Sequence, residues 1–157
     1  MALSFSWSIA VVDTAPPSSS STSSSSSASV GRDLALDAEG ELVVLEGDLV
    51  LLTGAEAFAS DLKSRLQTFA AEYFLDTTIG VPWLASDGQF PAILGGKPRL
   101  TRNAELLRAQ ILDTPGAVEL IAFNVTNQGR ELRVSFRVRI DTDQVIAGAL
   151  LATAGGN

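Results

Sequence analysis

The chain has 157 residues, 46% of them hydrophobic, with eleven basic and eighteen acidic side chains and a formal net charge of −7. That is enough chain and enough apolar surface for one folded domain, so global disorder is excluded. Cysteine and histidine are both absent, which excludes disulfides, the usual zinc sites and every Cys- or His-dependent catalytic arrangement, and the acidic pI near 4.4 argues against a nucleic-acid partner.

Residues 1–15 open with a strict alternation, Leu3-Ser4-Phe5-Ser6-Trp7-Ser8-Ile9, followed by Ala10-Val11-Val12. Period two with aromatic and β-branched residues is the pattern of a half-buried strand. Leu3, Phe5, Trp7 and Ile9 form its apolar face, and Ser4, Ser6 and Ser8 the opposite one. Next comes a Ser-rich stretch, 16–31, with too little apolar surface to offset its ordering entropy, so it is expected to be a flexible linker. Its serine run spans roughly 20 Å as a coil and up to about 40 Å extended. Such a tether lets the arm fold back onto its own domain or add to the sheet of another subunit. The expectation is the second: an arm donated in trans. No Lys or Arg precedes Arg32, so the start lacks the charged region of a secretory signal, and synthesis in the cytoplasm is expected.

The main domain is expected over residues 32–143. It starts with a small acidic meander of strands at 33–37, 41–45 and 49–52, with turns at Ala38-Glu39-Gly40 and Glu46-Gly47-Asp48. A helix follows. Thr53 and Glu56 have the spacing of a capping box, and Phe58, Leu62, Leu66, Phe69 and Tyr73 make one apolar stripe. The spacing predicts a second helix over 100–112, with Leu100, Ala104, Leu107 and Ile111 inward and Pro115-Gly116 as its stop. A hairpin closes the domain, with strands at 118–126 and 131–140 and a loop at Asn127-Gln128-Gly129. Leu132, Val134, Phe136, Val138 and Ile140 are expected inside, leaving Arg133, Ser135, Arg137 and Arg139 outside. Residues 144–157 read as an Ala/Gly-rich tail without a placed element. Its apolar run, 145–154, is well short of the ~20 residues that span a bilayer, so no membrane association is expected. The fold class is α+β: two helices packed on a small antiparallel or mixed sheet, with an extended N-terminal arm.

Few constellations could carry chemistry. Glu72 and Asp76 stand four residues apart where the first helix is expected to end, and a carboxylate pair is the equipment of a glycoside hydrolase. Two negative charges at a helix C-terminus oppose its dipole, so a local Arg, a loop N–H or a partner is the better explanation. Asp141-Thr142-Asp143 lacks the Gly and closing Glu of a calcium loop. In Gly95-Gly96-Lys97 the first required phosphate-loop Gly falls on Pro91, and Pro98 replaces the magnesium-holding Ser or Thr. No cofactor or metal is expected. Charge is uneven: residues 1–80 carry eleven acidic and three basic side chains, residues 81–157 seven and eight. That polarity can steer head-to-tail or heteromeric assembly.

A set of segments points to a family. Gly31-Arg32-Asp33-Leu34-Ala35-Leu36, Gly54-Ala55-Glu56-Ala57, Leu66-Gln67-Thr68, Glu72-Tyr73-Phe74-Leu75-Asp76 and Gly80-Val81-Pro82-Trp83 resemble the lysozyme-like baseplate wedge family of contractile phage tails, of the sheath-initiator type. Ala104-Glu105-Leu106-Leu107, Ile111-Leu112 and Pro115-Gly116-Ala117-Val118 are similar to the same family. Of the Glu-Pro-Arg that some relatives carry after the second helix, only Pro115 has a counterpart. The resemblance implies a non-enzymatic part of the virion tail baseplate, made in the host cytoplasm and present in six copies. It would contact the tail sheath protein and other wedge and hub or tube proteins, and initiate the sheath through exchanged strands. The interaction residues expected are Phe5, Trp7 and Ile9 on the arm, Glu72 and Asp76 after the first helix, and Arg133, Arg137 and Arg139 on the hairpin. The alternatives are a carboxylate-dependent cell-wall glycan hydrolase, separable by lytic activity, and a chaperone or regulator that binds peptides at a sheet edge, separable by transient rather than stoichiometric association.

Overall fold

The computed structural model describes residues 3–12, 32–37, 41–76, 79–84, 92–94, 99–128 and 130–155. The expected linker at 16–31, the turn at 38–40 and the Gly95-Gly96-Lys97 segment lie outside the described residues. The elements, in chain order, are β1 (Leu3–Val12), β2 (Asp33–Leu34), β3 (Val44–Leu45), β4 (Asp48–Leu49), β5 (Leu51–Leu52), α1 (Gly54–Gln67), α2 (Leu100–Leu112), β6 (Ala117–Gln128), β7 (Glu131–Ile140) and β8 (Val145–Ala154). The fold is α+β, two helices with antiparallel sheets.

The main sheet has the order β1-β8-β7-β6, antiparallel throughout. Alternation on β7 makes it two-faced: Leu132, Val134, Phe136, Val138 and Ile140 are buried, and Arg133, Ser135 and Arg137 are exposed. The inner face joins Phe58, Leu62 and Leu66 of α1 and Leu107 and Ile111 of α2 in one core. Both helices therefore cover one face of the sheet and leave the other uncovered by any described element. Gly148 of β8 pairs with Phe136, and the Phe136 ring occupies the space a Cβ at Gly148 would fill.

Two expectations are corrected here. The Ala/Gly-rich stretch read as a tail contains β8, an interior strand of the sheet with β7 on one side and β1 on the other. Its residues are apolar or small on both faces, so no period-two contrast marks it as a strand. The arm expected to leave the molecule pairs instead with β8 of its own chain, from Leu3↔Ala154 to Val12↔Val145. β8 without β1 would be an open apolar edge, and the arm is the strand that closes it.

α1 is also shorter than its stripe. It ends at Gln67, because Thr68 takes an extended conformation and its hydroxyl donates to the Ser64 carbonyl at 2.8 Å. Phe69 then bridges Val81, and Tyr73 stands exposed. At the other end Thr53 is the N-cap residue but makes no side-chain capping bond, so the capping box does not form. α2 keeps its expected bounds, although Leu100 is exposed while Asn103 is buried. Asn127 and Gln128 belong to β6, which shortens the hairpin loop.

Candidate interaction surfaces

Three features that carry expected site residues could meet a partner. The first is β1. Its inward residues Leu3, Phe5, Trp7 and Ile9 are only half-buried, because an edge strand is covered from one side. Phe5 meets Trp83 edge-on, with ring centroids 5.2 Å apart. The Trp7 indole Nε1 is buried without a hydrogen-bond partner among the described residues, as is Gln110 Oε1 on α2. A buried unpaired donor typically costs about 1–3 kcal/mol, so β1 is held on the sheet at less than full strength.

The second feature is the loop after α1. Helices leave their last carbonyls without intrahelical partners. Here Ser64 O accepts from Thr68 and Leu66 O accepts from the buried Trp83 indole at 2.8 Å. Glu72 lies beyond the helix, not on it. Its carboxylate accepts from the Phe69 N–H at 3.0 Å, and its own N–H donates to the Phe69 carbonyl at 3.0 Å. The Asp76 N–H donates to the Tyr73 carbonyl. The i, i+4 helical geometry expected for Glu72 and Asp76 is thus replaced by consecutive turns, one of them passing through Ala71 at φ 65°. Phe74 and Leu75, between the two acids, are strongly exposed.

The third feature is the uncovered face of the sheet. The strand register lays its side chains in rows from β1 to β6. The central row is Ser8, Ala149, Ser135 and Asn124, all short and all exposed. On one side lies the row containing Arg133 and Leu151, on the other the row containing Arg137 and Ala147. Four residues of strand separate the two arginines by about 13 Å. Low central side chains between taller flanks leave two overlapping hollows, of about 380 and 480 Å³. Arg133 pairs with Glu131 at 3.2 Å, and Arg139 pairs with Glu119. No ion pair joins Arg137 to another described residue. The outward arginines were legible from alternation, but the trough between them depends on four-strand register, which no local pattern reveals.

A fourth surface carries no expected site residue. The β3–β4 hairpin turns at Glu46 (φ 52°) and Gly47 (φ 92°), two positive-φ positions that match a type I′ turn. Val44, Leu45 and Leu49 are exposed on it beside Glu46 and Asp48. The available signal was the density of aliphatics within an acidic meander.

Asp61 titrates above its ordinary value. Burial raises its pKa, the Arg65 guanidinium opposes the rise, and the Asp33 carboxylate adds to it. Both aspartates line a hollow of about 340 Å³ between α1 and the start of the domain. A carboxylate with a folded pKa above its unfolded value, about 3.9, favours the folded state below that value. This contribution is lost as pH rises through the folded pKa. Asp61→Asn is therefore expected to raise the melting temperature at neutral pH, with the gain shrinking toward zero as pH falls below 4. Melts of both proteins across that range check it; a variant less stable at pH 7 contradicts it.

Residues 32–143 match the family model described as contractile injection system sheath initiator. No curated protein matches the chain.

Proposed function

Because the chain belongs to the contractile injection system sheath initiator family, we propose that it joins baseplate wedge and tube to the sheath, and starts sheath assembly by exchanging strands at its four-stranded sheet. The family makes it a structural component of a contractile tail, acting with tail sheath and baseplate components. On this reading it sits in the virion baseplate in six copies after synthesis in the host cytoplasm, and performs no catalysis. Glu72 and Asp76 shape the loop carrying Phe74 and Leu75. The outward arginines dock carboxylates of an assembly neighbour.

The observation that carries strand exchange is the β1–β8 ladder. β1 is remote in sequence from β8, its ladder partner among the described residues, half-buried through Phe5, Trp7 and Ile9, and weakened by the Trp7 donor that finds no partner among them. In the isolated chain β1 occupies its own sheet. In the assembly a neighbour's strand takes that place, and main-chain pairing supplies the affinity. Since the chain has no cysteine, the ladder can be locked selectively. Ser4 and Thr153 are register partners, and Ser4→Cys with Thr153→Cys joins β1 to β8 when oxidised. The oxidised protein is expected to enter baseplates that grow no sheath, and reductant to restore growth. Full sheath on the locked protein overturns the exchange.

A further inference from the structure

We infer that the arginine trough on the uncovered face of the sheet receives the β3–β4 hairpin of a second copy of this chain. This rests on the reading of the outward arginines as a docking face, and names what docks there. Each half of the contact lacks what the other supplies. The hairpin has both strands exposed; its base is tied to Ala35 through the Val43 N–H and the Val50 carbonyl, and its tip is covered by no described element. It presents aliphatics at Val44, Leu45 and Leu49 around two carboxylates, Glu46 and Asp48.

The trough offers a floor of short side chains, which lets another backbone come close, and Leu151 for apolar contact. It has Arg137 without an ion-pair partner among the described residues, and about four strand residues away Arg133, whose pairing with Glu131 is exposed and exchangeable for a hairpin carboxylate. Charge is complementary across the contact: the half of the sequence containing the hairpin is strongly acidic, and the half containing the trough carries the arginines. Hairpin and trough are different surfaces of one chain, so the contact is head-to-tail. It leaves a free hairpin at one end and a free trough at the other, and propagates until it closes into a ring or runs on as a filament.

The experiment uses two full-length variants. One carries Arg133→Glu and Arg137→Glu, closing the trough electrostatically; the other carries Glu46→Gln and Asp48→Asn, removing the hairpin's charge so that it matches neither form of the trough. All four positions are exposed, so circular dichroism should match the wild type. In sedimentation at low ionic strength the wild type is expected to form concentration-dependent oligomers, and each variant alone to run as a 16.4 kDa monomer. An equimolar mixture is expected to double that mass, because one intact hairpin meets one intact trough, and to dissociate with added salt. A mixture that stays monomeric, or a variant that self-associates like the wild type, overturns the second copy as occupant. Replacing Arg133, Arg137 and Arg139 together by Gln in tail assembly tests the docking face itself. If assembly fails there while the mixture stays monomeric, the face docks something else and the present inference is wrong. If assembly is normal, the docking reading fails with it.

Discussion

Trp83→Ala is expected to destabilise the protein by about 3–5 kcal/mol, the usual range for removing a large aromatic from a core. Total stabilities of domains this size are about 5–15 kcal/mol, so the variant should unfold at a much lower denaturant concentration. Trp83 is fully buried. Three elements depend on it. Its indole caps the Leu66 carbonyl of α1, its ring meets Phe5 of β1, and its backbone carbonyl accepts from the Leu94 N–H. Alanine would leave a cavity, an unpaired helix carbonyl and a loosened arm together. Trp83→Phe separates these contributions, because a ring remains while the capping bond is lost; it should cost roughly the 1–3 kcal/mol of an unsatisfied buried acceptor. Urea titrations of the three proteins measure both differences. An alanine variant within 1 kcal/mol of wild type would mean that Trp83 does not hold α1 and β1 together.

Gly80→Ala is the second large effect, at about 2–4 kcal/mol. Gly80 has φ 109°, a conformation L side chains rarely adopt. An added Cβ would stand 2.6 Å from the Phe69 carbonyl oxygen and 2.9 Å from that of Thr68. Those obstacles are backbone atoms, tied in turn to Val81 by the Val81 N–H to Thr68 carbonyl and Ala70 N–H to Val81 carbonyl bonds. Relief requires pulling the two segments apart. The expected signature is a lower melting temperature together with faster exchange of the Ala70 and Val81 amides. Unchanged exchange at both positions would show that the loop absorbs the methyl group without moving.

What the sequence made legible follows from where its signals are local. The second helix could be bounded at 100–112 because its apolar positions repeat at helical spacing and Pro115-Gly116 stops them. The two faces of β7 could be assigned because apolar residues and arginines alternate. The first helix was overextended because Phe69 and Tyr73 keep the spacing of the stripe, whereas the chain turns at Thr68 and again at Ala71. β8 went unseen because its two faces are alike in hydrophobicity, so neither periodicity dominates. The arm's acceptor is equally unmarked: across so long a serine tether a neighbouring sheet is as reachable as its own, and only the pairing with β8 shows where 3–12 lies in the single chain. The arginines were legible as residues and illegible as a trough. Their setting comes from Ser8, Ala149 and Asn124, which only pairing at long sequence separation brings beside Ser135.

The pairing of Leu3 with Ala154 also sets the order of events on the ribosome. β1 leaves the exit tunnel before every other described element, and its acceptor leaves after all of them. Throughout translation the nascent chain therefore carries an aromatic, alternating strand with nowhere to pair, the type of segment that holding chaperones bind and that seeds aggregation when left alone. A polypeptide cut short before Val145 has neither a docked arm nor a covered β7 edge. Such a product should be recognised and degraded quickly, whereas a chain that reaches Ala154 can close its sheet.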